Sequence, residues 1–216
     1  MGFLTLGDFQ DELASMIGQD GPGFKRNSTR LTRYINMGYF ELTGTQEFKE
    51  LFAIQTISTV ADTKSYTHAT TVQSIRGVID TTNKRSLRRT SIENYFRYDP
   101  DVTGQPEIWA REGGLLYVWP VPDAIYSLDI LHQAIPAVLS VDTGQTVLNS
   151  IWDQAILLLA AKSATMIAGD IEKTEAYLQL ARGYIGSRIS DQGADANSQA
   201  QGVDVAWHLE DLTEQR

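Results

Sequence analysis

The sequence contains no cysteine among its 216 residues, which excludes disulfide scaffolds, thiolate metal sites and a thiol nucleophile. It also lacks long hydrophobic runs, because the longest, residues 155–161, is far shorter than the roughly 20 residues that a membrane-spanning helix needs. The first residues have neither the charged nor the apolar region of a signal peptide. These absences predict a soluble protein that stays in the cytoplasm and has no membrane partner.

Basic residues are in the minority, with 18 Lys and Arg against 27 Asp and Glu, so the formal net charge is −9. A free-standing nucleic-acid binder needs cations to neutralise phosphates, and this balance argues against that class. The hydrophobic fraction of 42% and charged fraction of 21% are those of an ordinary globular protein. A chain of this length can bury a core without help from a metal.

Motifs that carry chemistry are scarce. His68, His132 and His208 are far apart in the sequence, and there is no phosphate-binding loop or nucleophile elbow. Residues 99–104 resemble the first half of a calcium loop, but Ala110 stands where the loop needs a bidentate glutamate. We therefore predict no metal, no cofactor and no catalytic residues, and a protein that is not an enzyme.

Apolar residues recur at helical spacing in four segments, which predicts helices at about 5–17, 28–44, 147–168 and 171–189. Consecutive segments are expected to pair as two helical hairpins. Lys162 falls on the apolar stripe of the third helix, so its ammonium should reach water or a partner.

Alternating apolar and polar residues predict a β-rich insertion at about 50–135, between the two hairpins. Strands are expected at 52–58, around Tyr66, and at 72–80, 107–111, 115–119 and 126–132. The predicted fold class is α+β and mainly α: a helical bundle of two helical hairpins with an inserted antiparallel β-rich region and an extended C-terminal tail.

The last 26 residues differ from the body of the chain. From Asp191 the composition shifts to Gly, Ala, Asn, Ser and Gln, which is typical of a flexible linker. Apolar residues return near the end, as Val203, Val205, Trp207, Leu209 and Leu212. We predict a single domain at 1–190 and a docking tail at 191–216 whose apolar residues bind a partner. A disordered terminus, or a tail that folds back on its own body, is the alternative.

The middle of the chain is locally basic and also rich in aromatic residues. The basic residues are Arg76, Lys84, Arg85, Arg88, Arg89 and Arg97, with 83–86 at an expected hairpin tip. They form either a solvated turn or a surface that contacts another subunit, an acidic partner or DNA. The aromatic residues are Trp109, Tyr117 and Trp119. They form either a recognition surface or part of the core, and the alternating faces of a hairpin favour the core.

Several short segments, taken in order, resemble one known family. They are Arg33-Tyr34-Ile35-Asn36, Gly104-Gln105-Pro106, the run 116–122 (LYVWPVP), and 126–130 (YSLDI) with Pro136 beyond. This arrangement over about residues 5–190, with its tail, is similar to the head-to-tail adaptor (head completion) proteins of tailed bacteriophages.

The resemblance implies a structural protein at the virion neck, assembled in the host cytoplasm. Its copies would form a ring, commonly of twelve, beneath the portal protein, and would connect the portal to a tail or nozzle protein. DNA would pass through the ring without sequence-specific binding, and the residues from Val203 to Leu212 would bind the portal. The alternatives are a tail-completion or stopper protein, or a hydrolase in which Asp99, Asp101, Glu107 and a histidine converge.

Overall fold

A computed structural model describes residues 4–18 and 29–200 of the chain. Contacts divide the chain into two compact units. The helical unit comprises Leu4–Leu42, Val141–Thr143 and the chain from Ile151 onward, and the sheet unit comprises Thr43–Ser140 and Gly144–Ser150. In chain order, the described residues form α1 (Leu6–Met16), α2 (Thr29–Thr45), β1 (Phe52–Ser58), β2 (Ser65–Thr67), β3 (Val72–Asp80), β4 (Arg85–Arg89), α3 (Ile92–Tyr95), β5 (Thr103–Gly104), β6 (Ile108–Glu112), β7 (Leu115–Trp119), β8 (Val121–Pro122), β9 (Ser127–Ala134), α4 (Asp153–Ala168) and α5 (Ile171–Ala200).

Helix α4 is the centre of the helical unit. Every residue from Ala155 to Ala161 is buried, and both α1 and α5 contact this helix. Helix α2 lies against it at Gly38, where a Cβ atom would be only 2.6 Å from the carbonyl oxygen of Ile156. The absence of a side chain at Gly38 is what permits this close approach of the two backbones.

One polar contact joins α2 to α4, and another caps the start of α1. As expected for Lys162, its ammonium has a partner, because Nζ donates a hydrogen bond of 2.6 Å to Oε1 of Glu41 on α2. At the start of the unit, Thr5 and Asp8 form a capping box, which satisfies exposed amides at the beginning of α1.

By length and composition, Ser150–Ala168 could cross a membrane. However, 67% of this window is buried inside the protein, which is typical of the core helix of a globular unit.

Helix α5 follows α4 after a tight turn in which Gly169 has a φ of 81°. Ala181 is fully buried, whereas Ile171 and Leu180 are 82% and 58% exposed. The helix continues to Ala200, beyond the end at 189 that its apolar spacing predicted. The predicted boundary at 190 therefore falls within α5, and the role of residues 191–216 stays a prediction.

Seven strands of the sheet unit form one sheet in the order β1-β9-β3-β4-β6-β7-β2. Most neighbours are antiparallel, but β4 and β6 are parallel, with Arg88 opposite Ile108 and Arg89 opposite Trp109. The sheet has its own core, formed by Val72, Ile75, Val78, Leu87, Trp109, Leu116, Val118, Leu128 and Ile130.

The predicted fold class is wrong. The described residues form five helices and a large, curled, mixed sheet, with 42% helix and 27% strand, rather than a mainly α helical bundle with an inserted antiparallel β-rich region. The physical reason is that strands far apart in sequence pair with each other, as Phe52 does with Gln133, and so build one continuous sheet. The parallel β4–β6 pair then joins two antiparallel groups of strands, which local sequence patterns do not encode.

Candidate partner-binding surfaces

The turn between β3 and β4, residues 81–84, is organised by the buried carboxylate of Asp80. Its Oδ1 accepts hydrogen bonds from the backbone N–H groups of Thr82 (3.0 Å) and Asn83 (3.2 Å). Its Oδ2 accepts from the side-chain amides of Asn83 (2.8 Å) and Gln105 (3.0 Å). All four donors favour the charged form of the carboxylate. Because three of them belong to Thr82 and Asn83, they also hold the turn in one conformation.

These hydrogen bonds also decide how Asp80 titrates. Desolvation by burial raises the pKa of a carboxyl group, but here the hydrogen bonds from Asn83, Gln105 and Thr82 outweigh it. The net result is an Asp80 pKa below its ordinary value, so the group is charged at neutral pH.

A second loop, residues 122–126, lies beside this turn at the same end of the sheet, because Asp80 pairs with Leu128 and Ser58 pairs with Ser127. Ser127, the first residue of β9, connects the turn to this loop. Its carbonyl accepts hydrogen bonds from the Thr81 amide (2.9 Å) and the Thr81 hydroxyl (3.0 Å), and its amide donates to the Thr82 hydroxyl at 2.9 Å. Within the loop, the hydrogen bond that Tyr126 donates to Asp123 raises the pKa of Tyr126.

A third loop, residues 59–63, is bonded to the second. The Thr59 hydroxyl accepts from the Tyr126 amide at 2.7 Å and donates to the Ala124 carbonyl at 3.0 Å, and the Asp62 amide donates to Pro122 at 2.9 Å. The Tyr66 hydroxyl braces this loop from within, since it donates to Thr63 at 2.6 Å. We call these three neighbouring loops, residues 59–63, 81–84 and 122–126, the loop ridge.

The loop ridge combines backbone strain with exposed side chains. Asp62 and Lys84, with φ values of 60° and 56°, are the non-glycine residues with positive φ in the described part of the chain, and both lie in this ridge. Such conformations persist only where the surrounding structure enforces them, and they cluster at functional sites. Val60 and Ile125 are 58% and 74% exposed, and Lys84 is exposed as well. The ridge is therefore a partly apolar surface that carries one cation, Lys84, and two exposed carboxylates, Asp62 and Asp123.

The six basic residues named from the sequence have different environments. Arg76 forms an ion pair with Glu47, with Nε and Oε2 3.2 Å apart, and also lies over the Phe52 ring. Arg85 donates to the Pro106 carbonyl at 2.7 Å, and Arg89 lies over Trp109. These three groups are engaged within the sheet unit. The other three, Lys84, Arg88 and Arg97, are exposed on the β3–β4 turn, on β4 and after α3.

The aromatic residues divide between the two faces of the β6–β7 hairpin. Trp109 is 1% exposed and belongs to the core. On the opposite face, Tyr117 packs against Tyr95, and Trp119 stacks on Tyr98 with ring centroids 4.6 Å apart. The half-buried rings of Tyr117 and Trp119 thus complete a small aromatic cluster with α3 and the segment that follows it.

The helical unit contains a groove that the sequence reasoning missed. It lies between α4 and α5, has a volume of about 530 Å³, and is lined by Gln154, Leu158, Gln179, Leu180, Gly183, Tyr184 and Ser187. A Cβ atom at Gly183 would meet nothing within 4 Å, so this glycine widens the groove. A glycine inside an apolar helical pattern was the one sequence signal for it. We call this feature the interhelical groove.

The carboxylates considered for hydrolysis serve local structure. Asp99 Oδ1 accepts from the Asp101 amide at 2.9 Å within a turn, and Glu107 lies 3.7 Å from the Arg85 guanidinium. Within residues 4–18 and 29–200, no three His, Asp or Glu side chains gather as metal ligands. The predicted portal-binding residues Val203, Val205, Trp207, Leu209 and Leu212 lie outside the described residues.

Comparison with known proteins adds one finding that covers most of the chain. The family model described as SU10 adaptor protein matches residues 4–204. A search of curated proteins finds no match. The family match includes both units and extends past residue 190 into the predicted docking tail.

Proposed function

Because the chain belongs to the SU10 adaptor family of phage head-to-tail adaptors, we propose that it forms a ring beneath the portal and joins the capsid to the tail. The family is one of structural phage proteins, and it implies interaction with portal and tail proteins. The match over residues 4–204 is the observation that carries the proposal. The ring, commonly of twelve copies in such proteins, lies at the virion neck and is assembled in the host cytoplasm.

A ring suits the charge of the subunit. Each copy has a formal charge of −9, so a ring of twelve copies carries a large net negative charge. Acidic walls repel DNA phosphates, whereas a basic lumen would retain DNA through release of counterions. The net negative charge is thus compatible with DNA that passes through the ring without being retained, and we propose that the ring makes no sequence-specific contacts with it.

The docking tail is proposed to attach each copy to the portal. The family match includes Val203, and the other predicted anchors, Val205, Trp207, Leu209 and Leu212, follow the matched residues. A large aromatic side chain on a linker contributes binding energy when it fills a pocket. Because a ring presents many such side chains at once, its overall affinity exceeds that of each single contact.

The proposal is tested by mixing the protein with the portal ring of its phage and measuring the mass of the complex by native mass spectrometry. We expect one discrete complex with the full chain. A chain ending at Ala200, which keeps all of α5, should lose at least about tenfold in affinity, as should Trp207→Ala. The neighbouring His208→Ala is the matched control and should bind as the full chain does.

Circular dichroism should show that the shortened chain is as stable as the full chain. Undiminished portal binding by the chain ending at Ala200 would contradict the role of the tail. Failure of the full chain to bind the portal at all would contradict the proposed function itself.

A further inference from the structure

The interhelical groove is a partly apolar surface that the proposed function leaves without a role. Its lining includes Leu158 of α4, which is buried, and Leu180 of α5, which is 58% exposed. The hydroxyl of Tyr184 donates a hydrogen bond of 2.6 Å to the Ile151 carbonyl oxygen, which holds this ring in the lining. None of the described residues that line the groove is charged. The groove therefore suits an apolar segment that lies along α5.

A row of uncharged residues runs along the α5 side of the groove. Gln179, Gly183 and Ser187 follow one another at intervals of four residues, so they share one face of the helix. A Cβ atom at Gly183 would meet nothing within 4 Å, so the row is open at this position. Successive members of the row are about 6 Å apart along the helix axis. An occupant that repeats at nearly this interval would match the row.

The docking tail carries a repeat of this length. Residues 203–209 read VDVAWHL, so every second residue is a large apolar one. In an extended chain, alternate side chains share a face and are about 6.6 Å apart. Trp207 and Leu209 can therefore enter the groove at two successive positions of the row, while His208 between them faces solvent.

The chain that follows α5 can return to the groove. The helix ends at Ala200, and Ser187 and Gly183 lie about 20 and 26 Å before this end along the helix axis. Gly202 follows two residues after the end of the helix. Glycine is common just past the end of a helix, because its conformational freedom allows the chain to change direction there.

The distances along the tail agree with those along the helix. From residue 202 to Trp207, six extended residues span about 20 Å, and from residue 202 to Leu209, eight span about 26 Å. A chain that reverses direction after α5 thus brings Trp207 level with Ser187 and Leu209 level with Gly183. Both apolar side chains then lie within the groove.

The charges of the tail indicate where a docked segment ends. Glu210 and Asp211 follow Leu209, and an extended chain that continued along α5 would bring them toward the exposed carboxylate of Glu175. Like charges repel, so the chain leaves the helix after Leu209. Asp204 alternates with the apolar residues, and its carboxylate therefore faces solvent.

We infer that in the free subunit residues 203–209 lie extended in the interhelical groove of the same chain, with Trp207 beside Ser187 and Leu209 beside Gly183. The inference rests on the proposed function, because the segment that docks contains the residues proposed to bind the portal. The groove and the portal then compete for them. A tail that is docked for about two thirds of the time binds the portal about threefold more weakly than one that is always free.

The absence of cysteine makes disulfide trapping in the free protein a direct test. A disulfide requires Cα atoms about 4.4 to 6.8 Å apart, so it reports contact between specific residues. Gly183→Cys with Leu209→Cys places thiols at two positions that docking brings together. In dilute solution, intact mass and gel mobility should show an intramolecular disulfide in this variant.

Gly186→Cys with Leu209→Cys is the matched control. A Cβ atom at Gly186 also meets nothing within 4 Å, but this residue is outside the groove lining, about 60° around the helix from Gly183. The two glycines are almost equally far from the end of α5, so an undocked tail would reach both at similar rates. We expect the pair with Gly183→Cys to be trapped at least about tenfold faster.

Equal rates of trapping in the two pairs would overturn the inference. Disulfide-linked dimers in place of the intramolecular bond would also overturn it, because they would put the tail in the groove of a second copy. Neither result involves the portal, so both leave the proposed function standing. A wild-type chain that forms no portal complex would instead count against the proposed function, while trapping in the free subunit still decides the inference.

A second variant fills the groove and tests the competition with the portal. Gly183→Leu favours the helix, because leucine has the higher helix propensity, and its side chain takes the space that Leu209 would occupy. Affinity for the portal should therefore rise about threefold. Gly186→Leu gains the same propensity outside the groove and should bind the portal as the wild type does. Equal portal affinities for the two variants would overturn the competition between groove and portal.

Discussion

Replacing Gly38 with alanine should lower the free energy of unfolding by roughly 3 kcal/mol. The added Cβ atom would lie 2.6 Å from the Ile156 carbonyl oxygen and 2.8 Å from the Ala160 amide nitrogen. Both atoms belong to the backbone of α4, which cannot move aside as a flexible side chain would. Helix α2 must therefore shift away from α4, with loss of packing around the centre of the helical unit. Urea unfolding followed by circular dichroism measures the change.

Gly44, in the same helix, provides the matched control. A Cβ atom there would meet only the Gln73 side-chain amide, at 3.9 Å. Alanine has the higher helix propensity, so Gly44→Ala should leave stability unchanged or raise it by up to about 1 kcal/mol. A Gly38→Ala protein as stable as Gly44→Ala would contradict the close approach of α2 and α4.

Asp80→Asn should lower the stability of the sheet unit by about 3 kcal/mol at neutral pH. The asparagine oxygen can still accept from the backbone amides of Thr82 and Asn83. Its NH₂ group, however, replaces the oxygen that accepts from the side chains of Asn83 and Gln105, so donors then face donors. Thermal unfolding followed by tryptophan fluorescence, with Trp109 buried in the sheet core, reports the loss.

The pH dependence of this difference follows from the lowered pKa of Asp80. A carboxylate whose folded pKa lies below its unfolded value of about 3.9 stabilises the fold fully above that value, and the stabilisation is lost as the pH falls below it. The gap between the wild type and Asp80→Asn should thus be constant from about pH 7 to 5 and should shrink below about pH 4. Asp101→Asn, at an exposed carboxylate of the same unit, should change stability by less than about 0.5 kcal/mol. A gap that grows on acidification would contradict the charged, hydrogen-bonded state of Asp80.

Elements with a strong apolar period could be predicted from the sequence alone. The apolar spacing at 28–44 predicted a helix, and the structure has α2 at Thr29–Thr45. The alternation at 72–80 predicted a strand, and β3 spans the same residues. Strand β4, in contrast, was not predicted, because Leu87 is the one apolar residue among its five. Its place in the sheet comes from pairing with β3 and β6, which is not a property of its own sequence.

The candidate surfaces depended even more on long-range contacts. A hairpin turn was expected near 83–86. That two other loops lie beside this turn depends on long-range contacts, such as the hydrogen bond that joins Tyr126 to Thr59. The interhelical groove depends on which side of α5 faces α4, and therefore on where Gly183 lies around the helix axis. The loop ridge could not be predicted from a local pattern, and Gly183 alone was a weak signal for the groove. The order of several short motifs was nevertheless enough to indicate the adaptor family.

The central claim is that this chain joins the capsid to the tail, and it is tested most directly by removing the gene from the phage. Electron microscopy of infected cells should then show DNA-filled capsids without tails, and added wild-type protein should restore tailed particles. Normal tailed virions in its absence, or an arrest before the capsids fill with DNA, would contradict the account.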